Sequence, residues 1–141
     1  MFQKQSKEYL INHLWILERF TGNCLFEHDL KPIEVKGQFP IDLISNFFIS
    51  FSRFINEIYS DKIKKIKFQK QKFYFRVTEE HMFIVSSDIL KKSYESKIEH
   101  FFLKIIEKFY QIYSCEKKDE ETMSNNLDFN EFIAAIEELE R

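Results

Sequence analysis

A chain of 141 residues, 44% hydrophobic and 31% charged, has the composition of one globular domain and is too apolar to be intrinsically disordered. Its formal net charge of −2 offers no global attraction to nucleic acid or to acidic membranes. With two glycines and neither GxxxxGK(S/T) nor GxGxxG, no phosphate-binding loop can be built, and no apolar run approaches the roughly 18 residues that span a bilayer.

Seventeen phenylalanines and a large excess of lysine over arginine go together with codons poor in G and C, so neither is read as a ligand signal. Cys24 and Cys115 lie far apart, without CxxC and without a secretory signal at MFQKQSKEYL. Free thiols in a reducing cytosol are the expectation. Phe2 after Met1 excludes N-myristoylation, and the terminal ELER carries no prenylation box. The chain is therefore expected to be cytoplasmic, at most peripheral to a membrane.

In chain order, residues 9–20, YLINHLWILERF, are apolar on both alternating faces and predict an inner strand. Thr21-Gly22-Asn23 is a turn, and CLFEHDL at 24–30 returns as the second arm of a hairpin. Residues 31–40 hold both prolines and the other glycine and form a linker, with Pro40 suited to the first turn of a helix and Asp42 to its dipole. From there to Tyr59, Ile44, Phe47, Phe48, Phe51, Ile55 and Ile58 recur at helical spacing and predict one core-facing face. After Ser60-Asp61, short strands follow at 62–70 (with Ile66 and Phe68 two apart), 73–77 and 82–87, an antiparallel meander. Asp88 is placed to cap a second helix from residue 89, with Tyr94, Ile98, Phe101, Phe102, Ile105, Phe109, Ile112 and Tyr113 on one face. Residues 116–126 are a polar loop. Asp128 and Glu131 then form a capping box, stapled by Leu127 and Phe132, for a terminal helix with Phe129, Phe132, Ile133, Ile136 and Leu139 on one face. The predicted order is ββ-α-βββ-α-α.

That order, with LWILERFTGNCLFEHDL as the hairpin, LISNFFISFSRFINEI as the central helix, KIKFQKQKFYFRVTEEHMFIVSSD as the meander and SKIEHFFLKIIEKFYQIY after it, resembles a longin domain across residues 9–139. The roadblock family shares the sheet and central helix but carries a full N-terminal helix, for which residues 1–9 are short, and one helix after the last strand. The resemblance implies an α+β, longin/profilin-like fold. Its five-stranded antiparallel sheet would have the order 2-1-5-4-3, with one helix on one face and two C-terminal helices on the other, as a single domain over 1–141. It implies non-catalytic work in membrane traffic, with pairing to itself or to a longin- or roadblock-like protein. A small GTPase or a coat or tethering component would be the further partner, with no cofactor. A longin of the SNARE type would continue into a coiled coil, which the end at Arg141 speaks against.

Candidate sites follow from exposure and charge. Leu43 and Phe54 lie beside Phe47 on one flank of the central helix, a stripe that is either the margin of a wide core contact or a partner surface. Lys62, Lys64, Lys65, Lys67, Lys70 and Lys72 crowd the third strand, where they protect a sheet edge or meet an acidic partner or anionic surface. Leu43, Phe47, Phe54, Lys62, Lys64 and Lys67 are thus the expected interface. Residues 120–131 imitate a calcium loop, but Glu120 and Asn125 stand where Asp and Gly are needed. His13, His28, His81 and His100 show no ligand spacing, and no nucleophile is paired with a base, so neither a metal nor a catalytic site is expected. The alternatives are a roadblock-like scaffold that regulates a GTPase, and a small-molecule sensor of PAS or GAF type, the latter opposed by sheet-facing residues that read as uniformly large and apolar.

Overall fold

The computed structural model describes residues 10–30, 41–60, 62–89, 92–113 and 129–140, with the side chains of 41–45 and 55 outside that description. The linker at 31–40, the loop at 116–126, the Leu127–Asp128 cap, Cys115 and most of the calcium-like loop lie outside the described residues. The chain packs as two compact units, Met1–Leu90 and Lys91–Arg141.

In the first unit, β1 (His13–Glu18) pairs antiparallel with β2 (Cys24–Asp29) and with β5 (His81–Asp88). β4 (Gln71–Val77) joins β5 to the short β3 (Lys65–Lys67), giving the sheet order β2-β1-β5-β4-β3 expected above. Unbroken apolar sequence in β1 and β5 matches their central places: Leu14, Ile16, Phe83 and Val85 are buried on one face, and Trp15, Leu17, Met82 and Ile84 on the other.

The hairpin turn between β1 and β2 depends on Gly22. Its φ of +77° is open to glycine, its N–H donates to the Glu18 carbonyl at 2.9 Å, and a Cβ there would meet Ile49 Cγ1 at 3.0 Å. The register passes from Ile16 opposite Phe26 to Leu17 opposite Cys24, so Leu25 is an extra residue that bends β2.

Helix α1 (Ile41–Tyr59) starts where Pro40 predicts. It stops at Ser60, which takes φ 52° and donates its N–H to the Asn56 carbonyl at 2.9 Å, a left-handed cap. Phe48 and Ile49 anchor it on the sheet, packed with Trp15, Leu17, Ile63, Phe75, Met82 and Ile84. This corrects the expected core face: Phe47, Phe51 and Ile58 are exposed. The sheet contacts only the narrow arc holding Phe48, Ile49 and half-buried Ser52, and the apolar residues of α1 extend well beyond it.

Two other expectations are corrected in extent. The third strand pairs over three residues rather than nine, extended by the Phe75 N–H on the Lys64 carbonyl at 2.9 Å. Phe68 is not in the strand with Ile66: it lies in the tight turn, its N–H on the Gln71 carbonyl at 2.7 Å, its ring half-exposed against the edge of Phe73. The sheet is also not uniformly apolar. At one end His13, Ser86, Asp88 and Gln71 stand in register, and Asp88 accepts from Asn12 Nδ2 at 2.9 Å and from Gln71 Nε2 at 2.7 Å. Asp88 is therefore the last residue of β5, and the second helix begins well beyond it.

In the second unit, a 3-10 turn at Lys92–Tyr94 leads into α2 (Glu95–Tyr113), and α3 (Asn130–Glu140) packs against it. Their shared core is aromatic. Phe132 and Ile136 are fully buried, with the Phe132 ring edge-on to Phe109 at 5.5 Å and to Tyr113 at 6.2 Å. Both helices present the faces their spacing predicts, apart from half-buried Ile112, Ile133 and Leu139, and apart from Tyr94 and Phe129, half-buried residues that lie just before α2 and α3 rather than in them.

Candidate functional site

The most unusual feature of the surface is a stripe along α1. Phe47, Phe51, Phe54 and Ile58 are 54%, 37%, 54% and 61% exposed. At about 100° per residue they fall within a narrow sector, with the i, i+4, i+7, i+11 spacing by which helices pair. The Phe47 and Phe51 rings stack in parallel, 6.0 Å between centroids and 6° between planes, and Phe47 meets Phe48 edge-on at 5.6 Å. The stripe is therefore anchored from beneath by a buried ring. Exposed large apolar residues in one continuous row mark interaction surfaces more than chance exposure does.

Ring contacts set which way the stripe faces. Phe48 lies 5.5 Å from Phe73 and 5.1 Å from Phe75, turning its flank of α1 toward β4. Ile49 meets Gly22, and Arg53 donates to the Phe20 carbonyl, turning the other flank toward the β1–β2 turn. The stripe continues from the Phe48 flank, on the side of β4 and β3.

Among the described residues strand β3 pairs only with β4, so it is an edge of the sheet. Lys64 and Lys67 are exposed there, and Lys62, also exposed, precedes them in the chain and stands near Arg53 and Asn56 of α1. Lys65 and Lys72 place their ammonium groups 5.8 and 5.2 Å from the centre of the Tyr74 ring, so part of the lysine cluster is held by cation–π contact with the sheet.

Of the six residues expected at the interface, Phe47 and Phe54 lie on the stripe and Lys62, Lys64 and Lys67 line the β3 approach, whereas the Leu43 side chain lies outside the described residues. Phe51 and Ile58 belong to the stripe but are assigned to the core by periodicity alone. The signal for them is the four-three alternation 47-51-54-58, offset from the sheet-facing Phe48 and Ile49. Among the described residues, no group of three or more His, Cys, Asp or Glu is arranged to hold a metal ion, Cys24 forms no disulfide, and no helix is long and apolar enough to cross a membrane.

No protein-family model matches the chain, and no curated protein matches it. Among the solved structures that match the chain in part are two of MglB. One is the gliding protein MglB from Thermus thermophilus, with TM-score 0.46 and 9% identity over 55% of this chain and 61% of that one, less than two thirds of its length. The other is MglB in a tetrameric arrangement, with TM-score 0.51 and 9% identity over 65% of this chain and 71% of that one. At that identity the likeness is one of fold: the chain has an α+β fold around a five-stranded antiparallel sheet, similar to that of MglB in the tetrameric arrangement.

Proposed function

We propose that the chain is a non-catalytic pairing module, and that the α1 stripe together with the β3 edge receives a second copy of the chain. The stripe carries this reading. Four large apolar side chains at pairing spacing project from a helix whose opposite face is already filled by the sheet. The second copy is favoured because the outward face of α1 is nearly uncharged, with Asn46, Ser50 and Glu57 around the stripe, so two identical faces meet without strong repulsion. An apolar seam flanked by a sheet edge also lets a partner cover both features at once. The tetrameric arrangement of MglB supports assembly as a property available to this fold.

The longin resemblance extends the proposal. Residues 1–141 would act as one longin-type scaffold in the cytoplasm, bringing a small GTPase or a coat or tethering component to the paired module, with a related longin- or roadblock-like chain as the other possible partner. Exposed Lys62, Lys64 and Lys67 would then meet acidic groups of such a partner.

The test is Phe47→Asp combined with Phe54→Asp, measured by light scattering with circular dichroism as the fold control. The expected result is a folded protein of half the wild-type mass. A folded double variant with unchanged assembly removes the stripe from the interface.

A further inference from the structure

On the flank of α1 opposite the stripe lies a pocket of about 130 Å³ bounded by the C-terminal half of the helix, the β1–β2 turn and the β4–β5 turn. Three cationic side chains from separate parts of the sequence converge on it: Arg19, Arg53 and Lys62. Ser52 and Asn56 add a hydroxyl and an amide, and Ile49, Val77 and Met82 make the floor.

The two guanidinium groups are held in place without being neutralised. Arg19 donates its main-chain N–H to the Glu80 carbonyl at 2.9 Å and Nη1 to the Thr78 carbonyl at 3.2 Å, while Arg53 Nη2 donates to the Phe20 carbonyl. These acceptors orient the groups but carry no net charge. Among the described residues, neither guanidinium forms an ion pair with a carboxylate. The C-terminal dipole of α1 offers only about half an elementary charge. That cannot balance two guanidinium charges gathered around one small concavity.

We infer that this pocket is a binding site for a phosphate monoester. A phosphoryl dianion offsets more of the positive charge than a carboxylate. Its three terminal oxygens also match the donors at the pocket: the remaining N–H groups of two planar guanidiniums, the Ser52 hydroxyl and the Asn56 amide. The pocket holds the phosphoryl group and leaves the rest of the ligand at its mouth. The Gly22 turn fixes one wall, since its Cα packs directly on Ile49. The pocket shares Lys62 with the lysines assigned to a partner above, but Arg19 and Arg53 lie away from the stripe, so the site does not rest on that pairing.

The source of the phosphate is a soluble metabolite or a lipid headgroup, and the experiment separates them. Wild type is titrated by calorimetry at constant ionic strength with inorganic phosphate, glycerol 3-phosphate and acetate, and floated with vesicles containing phosphatidic acid or phosphatidylserine. Saturable binding of glycerol 3-phosphate, at least about tenfold tighter than acetate, is expected, because charge-assisted bonds to several oxygens add where one carboxylate makes fewer. Tighter capture by phosphatidic acid vesicles than by phosphatidylserine vesicles assigns the lipid source, and binding of the soluble ester alone assigns the metabolite. Arg19→Lys and Arg53→Lys keep the charge, lose the fork and should each weaken binding about tenfold. Phe47→Asp with Phe54→Asp should bind as wild type does. No saturable binding of any phosphate at about 10 mM, equal affinity for acetate, or binding indifferent to both Arg53→Lys and Arg19→Lys overturns the assignment.

Discussion

Phe48 and Phe47 are neighbours in sequence, and their replacement by alanine should have opposite consequences. Phe48 is 5% exposed, with ring centroids of Trp15, Phe73 and Phe75 at 6.4, 5.5 and 5.1 Å. Truncating such a ring loses its transfer free energy and leaves a cavity between helix and sheet, costing about 3–5 kcal/mol. With a urea m-value of about 2 kcal/mol/M, the unfolding midpoint should fall by roughly 2 M. Because that approaches the whole margin of a domain, about 5–15 kcal/mol, Phe48→Leu serves as a milder variant with a loss of about 1–2 kcal/mol. Phe47 is 54% exposed and stacks mainly on Phe51, so Phe47→Ala should cost under about 1 kcal/mol within one chain. Urea melts at several protein concentrations separate the two, since lost pairing makes the Phe47→Ala effect depend on concentration and a core cavity does not. A concentration-independent loss at Phe47 as large as that at Phe48 would refute the assignment of faces.

Three further changes probe the scaffold. Gly22→Ala imposes a Cβ at φ +77° and 3.0 Å from Ile49 Cγ1, so it should destabilise by about 1–2 kcal/mol or more, read from the urea midpoint. Asp88→Ala leaves the Asn12 and Gln71 amides without their shared acceptor and should cost about 1–3 kcal/mol by the same assay. Phe132→Ala empties the aromatic contact between α2 and α3 and should cost about 3–5 kcal/mol, with loss of near-ultraviolet dichroism from Phe109 and Tyr113 reporting the site. A loss under about 1 kcal/mol at Phe132 would mean that α3 is only loosely docked on α2.

The order of elements was legible because each carries its own local signal. Gly22 marks the hairpin, the unbroken apolar run of 14–17 marks a strand covered on both faces, and Pro40 opens the helix. The orientation of α1 was not legible, for a physical reason. Its apolar residues at 43, 44, 47, 48, 49, 51, 54, 55 and 58 extend, at about 100° per residue, over roughly two thirds of the helix circumference, more than one sheet covers, and periodicity does not tell a buried face from an unpartnered one. The structure divides that arc at Phe48. The third strand was overextended because lysines with an intervening Ile66 and Phe68 alternate well beyond the three residues that pair with β4. The cationic pocket has no sequence signal at all, since Arg19, Arg53 and Lys62 share neither an element nor a spacing and meet only once the turns close on α1.

Sedimentation equilibrium from low to high micromolar concentration tests the central claim most directly. The account predicts a reversible equilibrium between the 17.3 kDa chain and a species of twice that mass, abolished by Phe54→Asp. A wild-type protein that stays at 17.3 kDa across the whole range, with α1 folded, would contradict it.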